Sequence, residues 1–170
     1  MQVGVCMTIH VAREPKQLAT LLASLGTAVL DLRSLEYDVQ RELLTVDLWR
    51  ECCDCPPVTK RRLCVLEITK WPYRKLTLRA SSVSTKEVRG DRMLYFPTLQ
   101  RFAAVPVPQG FTVTMECTGV RLSWTSRTID VELHESDEAC SDFEPGAVTV
   151  ALRLPWQVSR RVQKVERDNG

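Results

Sequence analysis

The chain begins with a strict alternation. Val3, Val5, Met7, Ile9 and Val11 share one phase, while Gly4, Cys6, Thr8 and His10 share the other. Successive side chains on a strand leave opposite faces of the pleat, so this period of two predicts a half-buried strand. Glu14-Pro15 follows, and Leu18, Leu21, Leu22 and Leu25 then fall at helical spacing. Proline in a first turn forfeits no needed hydrogen bond, and Gly26 can end the segment with a positive φ, so one helix is predicted here.

Beyond Gly26 the pattern is that of strands. Val29 to Val39 alternates, but its apolar phase slips between Leu32 and Leu35, which predicts a bulge. Leu44, Val46 and Leu48 share a face, as do Cys64, Leu66 and Ile68, and then Leu76, Leu78 and Ala80. The stretch from Cys52 to Arg62 is polar, contains Pro56-Pro57 and reads as a connection. Ser81 to Arg92 reads as a polar surface loop, and Met93 to Phe96 as a short strand. Phe111 to His134 reads as a three-stranded antiparallel meander, with turns at Thr118-Gly119 and near Ser126. An acidic loop is expected from Glu135 to Glu144, and a last strand carries Val148, Val150, Leu152 and Leu154.

The expected fold class is mainly β, or α+β: an antiparallel sandwich or open barrel of about nine strands with one packed N-terminal helix. Residues 1–158 are expected to form a single domain, and the charged residues 159–170 a flexible tail.

Composition narrows the function classes. The chain has 170 residues, 44% of them hydrophobic and 26% charged, as expected of a globular protein with its own core. A formal net charge of +2 does not supply the dense basic face of a dedicated nucleic-acid binder. No apolar run is long enough to cross a bilayer, and the N-terminus lacks the basic start and cleavage site of a signal peptide. No membrane partner is therefore expected, and the expected location is the cytoplasm or nucleus. Seven cysteines, an odd number, read most simply as free thiols in a reducing compartment.

Few residues carry recognisable chemistry. Cys52 and Cys55 have the C-x-x-C spacing that lets two thiolates reach one zinc ion, and Cys64 could return across a hairpin as a third ligand. A structural zinc is the only cofactor this pattern suggests. Phosphate-loop and serine-elbow motifs are absent, and the two histidines, His10 and His134, fall on the polar phase of their strands. Arg79-Ala80-Ser81-Ser82 resembles one short motif of hydrolases that act on deoxyuridine nucleotides. The glycine-rich tail and aspartate–tyrosine motif of those enzymes are absent, so no activity carries across.

Two segments are candidate partner-binding surfaces. Trp71, Tyr73, Arg74 and Lys75 mix aromatic and basic side chains, as interaction hot spots do. Glu135, Asp137 and Glu138 head the acidic stretch and would suit a basic partner. The expected function is a non-enzymatic protein-interaction or regulatory module, of the type that small viral accessory proteins represent. A zinc-stapled regulatory or nucleic-acid-associated module is one alternative. An enzyme with dispersed catalytic residues, for instance around His10 or Asp130, is the other.

Overall fold

The strand at the start of the chain, β1 (Thr8–Ala12), is followed closely by the helix α1 (Pro15–Leu25). These and all other coordinates come from a computed structural model that describes residues 8–52, 55–63, 66–90, 96–140, 148–152 and 163–165. The chain divides into two compact units. One comprises Met1–Arg50 with Arg74–Glu138, and the other Glu51–Tyr73 with Ala139–Gly170.

The first unit is a sandwich of two sheets with α1 packed on it. Its larger sheet adds β2 (Val29–Asp38), β3 (Leu43–Glu51), β6 (Tyr73–Ala80) and β11 (Val131–Cys140), in the order β1-β11-β6-β3-β2. The smaller sheet contains β7 (Val83–Gly90), β8 (Leu99–Val107), β9 (Gly110–Cys117) and β10 (Val120–Ser126), in the order β7-β10-β9-β8. Leu44, Val46 and Leu48 of β3, Leu76 and Leu78 of β6, and Val131 and Leu133 of β11 all point inward. They meet Val113 and Met115 of β9 and Leu122 and Trp124 of β10 in one apolar core. The Phe102 and Trp124 rings pack in a tilted arrangement with centroids 6.1 Å apart. Leu18, Leu21 and Leu25 bury one face of α1, which packs against β1 and β8. The mainly β, antiparallel, one-helix reading therefore holds.

Several local expectations hold as well. The register of β2 against β3 slips between Asp31 and Glu36, where the apolar phase slips. The β9–β10 hairpin turns at Thr118-Gly119, with Cys117 opposite Val120 and Gly119 at φ 72°. A two-residue turn needs such a positive φ, which glycine adopts without steric cost.

Others are corrected. Phe111 to His134 supplies only two strands of the smaller sheet, β9 and β10, because β11 lies in the larger sheet, paired with β1. The open side of β10 is already taken by β7, with Leu122 opposite Val88. The segment after Ser126 is thus a corner between sheets. Beside it the chain makes the opposite crossing, from β6 to β7, through Ser81 and Ser82. The Ser81 N–H donates to Asp130 O at 3.0 Å, and the Arg127 N–H donates to Ser82 O at 3.4 Å. Ser82 adopts φ 58°, the left-handed turn of this corner. Val83–Gly90, within the stretch expected as a loop, is strand instead, because its polar residues form an exposed edge strand, and Asp91 and Arg92 lie outside the described residues.

The acidic stretch begins as strand as well, since β11 runs on to Cys140. The expected strand at Met93 lies outside the described residues except for Phe96.

The second unit is one sheet of β4 (Thr59–Leu63), β5 (Leu66–Lys70), β12 (Val148–Leu152) and β13 (Gln163–Val165), ordered β13-β12-β5-β4. β4 and β5 form a hairpin within the stretch that had read partly as a polar connection, and β13 lies in the charged segment at the end of the chain. The insertion between β3 and β6 leaves and returns at one place. The Cys52 N–H donates to Pro72 O at 2.8 Å, and the Val58 N–H donates to Lys70 O at 2.8 Å. Among the described residues, no helix is long and apolar enough to cross a membrane.

Candidate functional site

Packing on β11 determines what β1 shows to solvent. Val131 and Leu133 fill the core, so Glu132 and His134 lie on the opposite face of the sheet, where the Glu132 side chain is 42% exposed and that of His134 11%. In the antiparallel register Ala12 lies opposite Val131 and His10 opposite Leu133, while Val11 lies opposite Glu132 and Ile9 opposite His134. Ala12 is therefore buried, and Ile9 and Val11 are left 52% and 41% exposed. The small Ala12, rather than the large residues of β1, meets the core beside α1. A hollow of about 300 Å³ opens beside Val11, lined also by Arg13 and Gln17. His134 Nε2 lies 2.9 Å from Glu132 Oε2 on the same outer face.

β1 also lies at the edge of its sheet among the described residues. An edge presents unpaired backbone donors and acceptors, and proteins blunt such edges with charge, proline, bulges or a covering element. The other edges of this unit carry such devices. β2 has its register slip and carries Asp31, Arg33 and Glu36. β7 carries Lys86, Glu87 and Arg89. β8 carries Arg101 and Pro106, shifts register between Leu99 and Arg101, and packs against α1. The sequence of β1, Thr-Ile-His-Val-Ala, has no charge and no proline, and its described register is unbroken.

The partner-binding candidates are placed differently. Glu135 is only 8% exposed and lies on the inward phase of β11. Its Oε1 accepts from Arg50 Nη2 and, at 3.2 Å, from Arg74 Nη1. Arg50 also donates through Nη1 to Ser24 O of α1 at 2.8 Å. Arg50, Arg74 and Glu135 thus form one ion-paired group at the end of the core. Lys75 points to the other face, where its Nζ lies 2.7 Å from Asp47 Oδ2, and Thr77 donates to Asp47 Oδ1 at 2.8 Å. Tyr73 is buried and Trp71 half-buried. The segment Trp71 to Lys75 is therefore split between two faces and does not form one patch. Asp137 and Glu138 lie on β11, but their side chains fall outside the description.

The cysteines resolve in part. Cys52 and Cys55 are joined in a disulfide, and Cys64 lies outside the described residues. No group of three or more potential metal ligands occurs among the described residues. Cys117 is buried in the core, where loss of hydration pushes its thiol up to about 12. Arg79-Ala80-Ser81-Ser82 ends β6 and makes the corner between sheets. A second hollow, of about 370 Å³, lies at the far end of the smaller sheet between Arg89, Gln100, Glu116 and Arg121. Neither hollow is lined by His10 or Asp130.

Sequence reading missed the β1 surface, although part of its signal was visible. Five consecutive residues without charge or proline mark an unguarded strand. Only the sheet order shows that this strand is an edge, and only its pairing with β11 turns Ile9 and Val11 outward.

No protein-family profile, curated protein or solved structure matches the chain.

Proposed function

We propose that this protein is a non-catalytic interaction module that takes an extended segment of a partner protein at β1. The observation that carries this reading is that β1 is an edge strand among the described residues, with Ile9 and Val11 exposed on it. Strand addition would supply main-chain hydrogen bonds along the edge, and side-chain pockets at alternate positions would supply selectivity. The partner segment would carry apolar residues two apart, to lie beside Ile9 and Val11. Each cross-strand pair would contribute roughly 0.2–1 kcal/mol.

The test combines Ile9→Lys with Val11→Lys, using Val105→Lys as control. Val105 is 61% exposed on guarded β8. A photo-crosslinking residue at position 9 of the otherwise native chain identifies the segment bound there, which is then made as a peptide. All three substituted side chains face solvent, so thermal unfolding should stay close to wild type. The double variant should bind the peptide at least tenfold more weakly, and the control should bind it unchanged. Equal binding by the double variant would rule out β1 as the docking edge.

A further inference from the structure

We propose that Cys52–Cys55 is a reactive disulfide that exchanges with small external thiols and acts as a redox latch at the mouth of the insertion. Three observations support this assignment. The first is the length of the loop it closes, which has only two intervening residues. A cross-link restrains the unfolded chain more as its loop lengthens, so one this short contributes less to the stability of the whole fold than to holding its own turn closed. The second is the unequal exposure of its two ends. Cys52 is 2% exposed, whereas Cys55 is half-buried, so an incoming thiolate has its approach at Cys55.

The third observation is position. The Cys55 N–H donates to Cys52 O at 3.2 Å, and the Cys52 N–H in turn donates to Pro72 O. The disulfide therefore closes the turn that begins the insertion, on the residue that ties its outgoing and returning strands together.

The exchange balances in two steps. A thiolate of a small thiol attacks Cys55 Sγ. A mixed disulfide forms there, the Cys52–Cys55 bond breaks, and the electron pair leaves with Cys52 Sγ, which takes up a proton. A second thiolate attacks the external sulfur of the mixed disulfide. The small-molecule disulfide departs, and Cys55 is left as a thiol. Two external thiols are oxidised and one protein disulfide is reduced. Opening the turn frees Cys52 from the restraint that holds its N–H against Pro72. Cys117 supplies an internal contrast, since its buried, high-pKa thiol has neither access nor thiolate character.

The experiment uses the full chain purified without reductant, with maleimide labelling resolved by peptide mass spectrometry. Cys52 and Cys55 should be unlabelled as purified and should become labelled together after treatment with glutathione or dithiothreitol under native conditions. Cys117 should stay unlabelled throughout. Cys52→Ser should retain a glutathione adduct on Cys55 when exposed to oxidised glutathione, whereas Cys55→Ser should retain far less on Cys52. Hydrogen exchange over residues 52–72 should quicken at least tenfold on reduction of the wild-type protein, with residues 112–124 unchanged.

Labelling of both thiols before reduction would overturn the disulfide itself. Resistance to reduction until the protein is denatured would make it an inert staple. Unchanged exchange over 52–72 would remove the latch. All three readings use the wild-type chain, so none depends on a variant folding.

Discussion

Glu135 holds two guanidinium groups together midway along β11, and its removal would leave Arg50 and Arg74 beside each other without the carboxylate. Two guanidinium groups brought close without the carboxylate between them repel each other, so Glu135→Ala should lose roughly 3 kcal/mol of stability. In a protein of this size that lowers the melting temperature by roughly 10 °C. Glu135→Lys should do more harm by adding a third cation. Replacing all three residues together, as Arg50→Met, Arg74→Met and Glu135→Leu, should recover most of the loss, because an ion pair replaced by apolar groups of similar size is often neutral. Urea unfolding of the single and triple variants measures both effects. A solvent-facing docking charge, as the acidic sequence around Glu135 suggested, would show neither. The charge of Glu135 was legible in the sequence, but its burial depends on two arginines distant along the chain.

At the scale of elements, the corners between sheets are built closely enough to be tested with one methyl group. Gly110 begins β9 with φ 135°, and a Cβ there would lie 2.2 Å from Ser126 O and 2.7 Å from the Cα of Arg127. Both atoms belong to the backbone where β10 turns toward β11, so they cannot move aside cheaply. Gly110→Ala should therefore cost about 2 kcal/mol or more, from backbone strain and collision together. Thermal unfolding would register this as a fall of roughly 5 °C or more. The periodicity of β9, β10 and β11 was plain in the sequence, and the Thr118-Gly119 turn was correctly placed. Membership of a sheet was not legible, because an alternating strand looks the same whether it pairs with β10 or with β1. The same ambiguity hid the edge position of β1, on which the proposed function rests.

For the whole molecule, the hydrogen bond from Cys52 to Pro72 means that the insertion can be removed without stretching the chain. A variant that joins Glu51 to Tyr73 through a short turn and ends at Glu138 should fold by itself, because the apolar core lies within the first unit. Circular dichroism should show a β-rich spectrum and a single cooperative thermal transition. A chain that stays unfolded would show instead that the first unit depends on the second. The sequence by itself determined the local periods: one amphipathic helix, a succession of alternating strands, the slip in β2 and the hairpin at Thr118-Gly119. These follow from side-chain direction and turn chemistry, which neighbouring residues specify. Only the tertiary structure decided which strands are neighbours, which are edges, and which charges are buried. It turned Ile9 and Val11 to solvent, drew Glu135 inward between Arg50 and Arg74, and joined Cys52 to Cys55. Those outcomes depend on contacts between residues far apart in the chain, and a pattern of period two carries no record of what lies across the sheet.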